Sequence, residues 1–249
     1  MPGNITYVSF LVWNERDHVP MKKRLVWLTS LLEIDVPLIL FADQTYMAEL
    51  ASLSVGPKTK LLPIQIGELE TVKRIRSVPY LHPPPNRSPE KDTIEFLTLM
   101  NSKPELLSMA LPHVFTDYVA YIDAGIRKVF KHDSTLKSLE TLKVHSIPLI
   151  LLPGCHPIRP VEIFPYLWNG INWMFSGGFF IVPVGKVDQF MEIHSILLNE
   201  FLKRDTITWE VNVWAGFGEA YKDSIVWYHG PHDDTMITGI PARYRSVVN

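Results

Sequence analysis

The sequence predicts an α/β protein with a Rossmann-type, mixed but mostly parallel sheet flanked by helices. Three observations carry that expectation. Short apolar, β-favouring runs recur along the chain, too continuous for strands with one solvated face. Between them lie segments whose apolar residues fall at helical spacing. The two kinds of segment alternate, a succession that gives parallel strands joined by crossover helices.

The first strand is expected over residues 5–13, where Val, Tyr, Phe, Leu and Trp cluster. Asn14-Glu15-Arg16-Asp17 breaks that run, and 21–32 follows as a helix with Leu25, Leu28, Leu31 and Leu32 at helical spacing. Residues 36–41 form a second buried strand closing at Ala42-Asp43, followed by a helix over 45–53 and a third strand over 60–66. Residues 74–90 differ. Pro79, Pro83, Pro84, Pro85 and Pro89 exclude a regular helix and a central strand. The stretch reads as a long surface loop, either a binding loop or lid or a plain solvated insertion. Residues 91–109 are helical in pattern, and Pro104 either kinks that helix or divides it in two.

Tyr118-Val119-Ala120-Tyr121-Ile122 is the most strand-like run, and it enters Asp123-Ala124-Gly125 directly. A short helix is expected over 136–142 and a strand over 147–152, closing at Pro153-Gly154-Cys155. Gly177-Gly178 forms a turn into a strand ending at Pro183. Residues 187–202 form a helix with Phe190, Ile193, Leu197 and Phe201 on one face. A last strand at 225–228 runs into His229-Gly230-Pro231-His232-Asp233-Asp234. With no repeat, low-complexity tract or linker in view, one domain over 1–249 is expected.

Composition narrows the function classes. At 249 residues the chain is long enough to bury a large core without staples. Its formal net charge of -2, with no basic block longer than Lys22-Lys23-Arg24, gives no support for nucleic-acid binding. A single cysteine, Cys155, rules out an intramolecular disulfide and a cysteine-cluster zinc site. No signal peptide or membrane anchor is visible, so a cytoplasmic protein is expected. The oligomeric state is not legible. Walker A, Gly-x-Gly-x-x-Gly and Gly-x-Ser-x-Gly patterns are all missing, which argues against a P-loop NTPase, a Rossmann dehydrogenase and an α/β-hydrolase.

Polar residues stand where the buried strands end: Asp43, Asp123, the Gly177-Gly178 pair, and His229 and His232. In an open α/β sheet that edge is where ligands bind. A carboxylate and an imidazole there suit Mn²⁺ or Mg²⁺, completed by water and phosphate oxygens. Each histidine taken alone is equally an ordinary loop residue. Lys103 is placed to pair with phosphate oxygens, with Arg74 and Arg76 in the proline-rich stretch as weaker candidates. Trp209-Glu210-Val211-Asn212 joins an indole to a carboxylate and an amide. In an extended segment Glu210 and Asn212 share a face, suited to the hydroxyls of a sugar whose C–H surface lies on the ring. Glu210 is then a candidate general base. The plainer reading is a helix or strand whose tryptophans fill the core.

Tyr121-Ile122-Asp123-Ala124-Gly125 resembles the Tyr-Leu-Asp-Ala-Asp segment of GT-A glycosyltransferases. The order of the other features is similar too, and the chain most resembles the bacterial HtrL/YibB-type proteins. That resemblance implies a GT-A-like fold with a nucleotide-binding half over 1–125 and an acceptor and metal half over 126–249. It implies that Phe10, Leu11, Val12 and Trp13 border the base and Asp43 the base or ribose. Lys103 approaches the diphosphate or ribose. Asp123, within the Tyr121–Gly125 segment, contacts the ribose or the metal. His229 is the late metal ligand, with His232 beside it. Gly177 and Gly178 line the sugar and acceptor pocket, to which the residue reading above adds Trp209 and Asn212, and Glu210 faces the reacting centre.

One departure from that pattern matters. Gly125 stands where the family's second Asp would be, so a carboxylate ligand is missing, and His232, Asp233 or Asp234 are candidates to compensate. The expectation is therefore a metal-assisted transferase moving a hexose from a nucleotide sugar, UDP-linked, to a hydroxyl of a glycan or protein. The alternative is a non-catalytic nucleotide-sugar or glycan-binding module with a degenerate metal motif.

Overall fold

The structure is a computed structural model that describes residues 3–12, 20–53, 55–157, 167–217 and 221–246. Its centre is one seven-stranded sheet. In chain order the strands are β1 Ile5–Leu11, β2 Leu38–Asp43, β3 Thr59–Ile64, β4 Tyr118–Ile122, β6 Ile150–Gly154, β7 Phe179–Pro183 and β8 Ile225–His229. The remaining two, β5 Lys143–Val144 and β9 Arg245–Ser246, pair with each other as a separate ribbon. The spatial order in the sheet is β3-β2-β1-β4-β7-β6-β8. All neighbours run parallel except β7, which is antiparallel to both β4 and β6. The expected mixed, mostly parallel sheet flanked by helices is what the chain forms.

The reason lies in the strands' two-residue period. Val8, Val119, Tyr121, Phe180 and Val182 enter one apolar cluster, packed by helices Glu70–Arg76, Ile94–Asn101, Lys103–Ala110, Val187–Leu202 and Glu210–Ala215. Tyr7, Ala120, Ile122, Phe179 and Ile181 enter the cluster on the opposite face, beneath helix Met21–Leu32 and the short helices Ser134–Ser138 and Thr235–Thr238. Both faces are covered, so the strands read as continuous apolar runs. Pro63 is tolerated inside β3 because β3 is an edge strand.

Several boundaries differ from the sequence reading. β1 ends at Leu11, and Trp13 lies outside the described residues. The stretch expected as a loop from 74 is helical to Arg76, so Arg74 and Arg76 occupy the last turn of helix Glu70–Arg76, where positive charge favours the helix dipole. Beyond that helix the proline-rich chain is stitched to the second half by backbone bonds. His82 N donates to Asp205 O, Ile207 N to His82 O, and Asn86 N to Asn169 O. The segment expected at 91–109 is two helices, Ile94–Asn101 and Lys103–Ala110, with Pro104 in the first turn of the second. Pro is tolerated there because its missing N–H would have no intrahelical partner. The helix expected over 136–142 is Ser134–Ser138. Residues 210–215 are helical rather than extended.

Candidate functional site

Because β7 runs against β4, its N-terminal end meets the C-terminal end of β4. Asp123 N donates to Gly178 O at 2.9 Å, one step beyond the Ile122–Phe179 pair. Two short helices bring their first residues to the same point: Lys103 opens Lys103–Ala110 and Glu210 opens Glu210–Ala215. The Lys103 ammonium donates to Glu210 Oε1 at 2.7 Å and to Gly177 O at 2.8 Å, and lies 3.5 Å from Asp123 Oδ1. It also sits 4.7 Å above the centre of the Tyr121 ring. The Tyr121 hydroxyl donates to Asp123 Oδ1 at 2.8 Å.

Exposure assigns the parts. The side chains of Lys103 and Glu210 are 2% and 5% exposed, whereas that of Asp123 is 33% exposed. Asp123 is therefore the member of this group most open to a ligand. Burial alone would lower the Lys103 amine, but Asp123 and Glu210 outweigh it and hold the amine above the ordinary lysine range. Burial alone would raise the Asp123 carboxyl. Lys103, the Tyr121 hydrogen bond, Lys128 and His232 together hold it below the ordinary carboxylate range. The buried Lys103 ammonium thus bridges the side chains of Glu210 and Asp123.

These residues form the floor of a cavity of about 190 Å³. Phe10, Leu11 and Val12 line one side, with Tyr121, Ala124, Gly125, Gly177, Gly178, Trp209 and His232 around the rest. Residues that sequence reasoning missed complete the wall: Arg24 and Trp27 from helix Met21–Leu32, Lys91, Phe96 and Met100, Lys128, and Ile171 and Trp173. Four cationic side chains, Arg24, Lys91, Lys103 and Lys128, thus border one cavity. Their mutual repulsion contributes to a lowered amine in Lys128, after partial desolvation and against the pull of Asp123. None of the three beyond Lys103 sits in a motif. They come together only because the helix after β1, the proline-rich segment and the turn after β4 meet above the sheet edge.

The two glycines are there for close approach. A Cβ on Gly177 would lie 2.2 Å from Glu210 Oε1, and one on Gly178 would lie 3.2 Å from Asp123 Oδ2 and 3.4 Å from His232 Nε2. His232 reaches this point because the segment after β8 is pinned back. Asp234 accepts hydrogen bonds from Lys131 N, His132 N and Thr135 Oγ1. Asp233 accepts from Thr235 N and Oγ1. Both acids, candidates to replace the missing carboxylate, are therefore spent on the loop, and neither lines the cavity.

Four expected site residues fall elsewhere. Asp43 ends β2, two strands from β4, and its Oδ1 accepts from Thr45 N and Oγ1 as a cap on the following turn. His229 ends the edge strand β8, three strands from β4 and exposed, roughly 14 Å away at ordinary strand spacing. Ile122 points into the opposite core. Asn212 does not share a face with Glu210, because in a helix residues two apart point nearly opposite ways. It is buried against the 167–172 segment instead. Its amide donates to Leu167 O, Gly170 O and Thr208 Oγ1, and its Oδ1 accepts from Asn172 N.

The donor set bears on the expected Mn²⁺ or Mg²⁺. Asp123 Oδ2 and His232 Nε2 approach one point beside Gly178, while Asp123 Oδ1 is already engaged by Tyr121 and Lys103. Among the described residues no group of three His, Cys, Asp or Glu side chains converges as a metal cage. The described residues thus offer two donors set among four cationic side chains, so a divalent ion here would take the rest of its shell from water and phosphate oxygens and would meet like charge.

No family model matches the sequence. No curated protein matches it either. Among solved structures, the chain is similar to the apo form of mouse xyloside xylosyltransferase 1, with a TM-score of 0.42 and 11% identity over 95% of this chain and 81% of that one. At that distance no residue here takes a role from it. Among the described residues no helix is long and apolar enough to cross a membrane.

Proposed function

We propose that the cavity binds a nucleotide sugar, UDP-linked, and that the protein is a glycosyltransferase moving a hexose to a hydroxyl acceptor. The observation that carries this reading is the composition of one cavity. A cationic border of Arg24, Lys91 and Lys128 and aromatic walls of Phe10, Trp27 and Trp209 surround the exposed edge of Asp123. A nucleoside diphosphate needs cations for its phosphates, ring faces for its base and a carboxylate for hydroxyls.

In the reaction the bond from the anomeric carbon to the diphosphate oxygen breaks, and its electron pair stays on the departing diphosphate. The acceptor oxygen forms the new bond to that carbon and loses its proton. Asp123 accepts from a ribose or sugar hydroxyl. Glu210, held by Lys103 beside Gly177, is the group to take the acceptor proton through its other oxygen. The products are a glycoside, a nucleoside diphosphate and a proton. The acceptor is a glycan or protein hydroxyl.

A thermal-shift panel of nucleoside diphosphates and nucleotide sugars tests this reading, because ligand bound to the native state raises the melting point. Stabilisation by one base and one sugar, with slow release of nucleoside diphosphate, is the expected result. If no nucleotide shifts the melting point, the reading fails.

One observation favours a second reading, a binding module without turnover: Glu210 already has Lys103 as a partner. Binding without any hydrolysis of the bound nucleotide sugar, in the wild type, would select it.

A further inference from the structure

We propose that the diphosphate of the bound nucleotide is held by Lys128 and Lys91, so that binding needs no divalent cation. This rests on the nucleotide reading above and specifies which side chains hold its phosphates.

The key position is 125. The GT-A segment that residues 121–125 resemble carries a second carboxylate there, and this chain has Gly125. The space beside it is not an open hole. A Cβ built on Gly125 would lie 3.4 Å from Trp27 Cε3 and 3.9 Å from Lys128 Cδ. The turn Ile126–Lys128 folds back, with Lys128 N donating to Gly125 O at 3.1 Å. That places the Lys128 stem beside position 125 and its ammonium 5.5 Å from the centre of the Trp27 ring. Where the pattern would supply a negative group to hold a cation, the chain supplies a cation.

The neighbours act the same way. Lys91 reaches the cavity from the end of the proline-rich segment, within the turn in which Lys91 N and Asp92 N both donate to Ser88 O, with its ammonium 5.5 Å from the Phe96 ring centre. Arg24 reaches it from helix Met21–Leu32. Among the described residues, the acids that line the cavity are Asp123, with one oxygen occupied, and Glu210, paired with Lys103. A divalent ion entering here meets the like charge of Lys128 and Lys91, whereas a diphosphate brings the opposite charge. Fixed cations then play the part of the metal when the leaving group gathers charge. Lys91 and Lys128 are exposed residues, so replacing them tests charge without disturbing a core.

Titration calorimetry on the wild-type protein decides the matter, using UDP, inorganic diphosphate and uridine, each in EDTA and in Mn²⁺. The expected result is that UDP and inorganic diphosphate bind in EDTA with a Kd that Mn²⁺ changes less than threefold, as order-of-magnitude bounds. Lys128→Met and Lys91→Met should each weaken both by about tenfold, the scale of one charge-assisted hydrogen bond. Binding of UDP only in Mn²⁺, with Lys128→Met unchanged, overturns the inference and leaves the nucleotide reading standing. Inorganic diphosphate binding in EDTA with no gain from the nucleoside supports the cationic cradle and overturns the nucleotide reading. If neither binds under any condition, both fall. Circular dichroism melts establish that the variants are folded, and either lysine variant alone is sufficient.

Discussion

Lys103 Nζ and Glu210 Oε1 lie 2.7 Å apart in a buried ion pair whose members are 107 residues distant in sequence. The pair ties the helix before β4 to the helix before β8, and its charges have almost no contact with water. Removing one partner leaves the other charge buried. Lys103→Met should therefore cost about 3–5 kcal/mol of stability. Glu210→Gln should cost less, because Lys103 keeps Gly177 O and Asp123. Urea unfolding of both single variants and the double variant checks this. A double variant less stable than Lys103→Met alone would contradict the pairing.

If Glu210 takes the acceptor proton, Glu210→Gln should reduce transfer at least 100-fold, the scale of general-base catalysis, while nucleotide affinity stays within about threefold. Single-turnover assays with calorimetric Kd values separate the two effects. Unchanged turnover removes Glu210 from the chemistry.

Gly177→Ala should be severe, because the new methyl would meet Glu210 Oε1 at 2.2 Å in a buried, ion-paired setting. A loss of about 1–3 kcal/mol and of most activity is expected. Gly178→Ala, with its nearest contact at 3.2 Å from Asp123 Oδ2, should fold nearly normally and weaken ligand binding. Melting curves and nucleotide titrations of the two variants, side by side, show whether the order holds.

Asp43→Ala should cost about 1 kcal/mol through the lost cap to Thr45 and leave nucleotide affinity unchanged. A loss of affinity would return Asp43 to the site.

His194 gives the stability a pH dependence. Its Nδ1 accepts from Trp214 Nε1 and its Nε2 donates to Asn101 O, so the buried ring is neutral. Burial pushes its pKa down to about 4. In the unfolded chain the ring takes up a proton near the ordinary value of about 6.5. Between those values the unfolded state binds more protons, so stability falls as pH drops from about 6.5 to about 4, by on the order of 3 kcal/mol. His232 is also held low, first by burial, and acts in the same direction. Asp123, held below its ordinary value, loses its contribution only at lower pH. Urea midpoints at pH 7 and pH 5 for wild type and His194→Gln isolate the histidine, and the variant should show the shallower slope.

The sheet was legible because both its faces are covered, which leaves unbroken apolar runs such as Tyr118–Ile122 in the sequence. Lys103, Asp123, Gly177, Gly178 and Glu210 were legible for a related reason: each sits at a break between a buried element and the next. Asp43 and His229 satisfied the same rule yet lie elsewhere, since a strand end says nothing about how far that strand stands from β4. Asn212 was misplaced because a six-residue helix between buried tryptophans carries the same apolar pattern as a strand. Arg24, Lys91 and Lys128 were invisible for the opposite reason. They are ordinary surface cations until the chain folds them over one cavity.

The reversed strand β7 has a consequence for how the protein is made. β1 to β4 are synthesised first, but the edge of β4 that faces the cavity is completed only by residues 179–183, in a ladder that pairs Tyr118 with Pro183 and Ile122 with Phe179. Until that ladder closes, Asp123 lacks Gly178, Lys103 lacks Gly177 and Glu210, and an apolar strand edge stands open. A nascent chain stopped before residue 177 therefore carries a lysine left with Asp123 alone of its three partners, and an adhesive edge. Such truncated chains are expected to aggregate and to be sought out by chaperones, whereas a chain that includes β7 and Glu210 shields both.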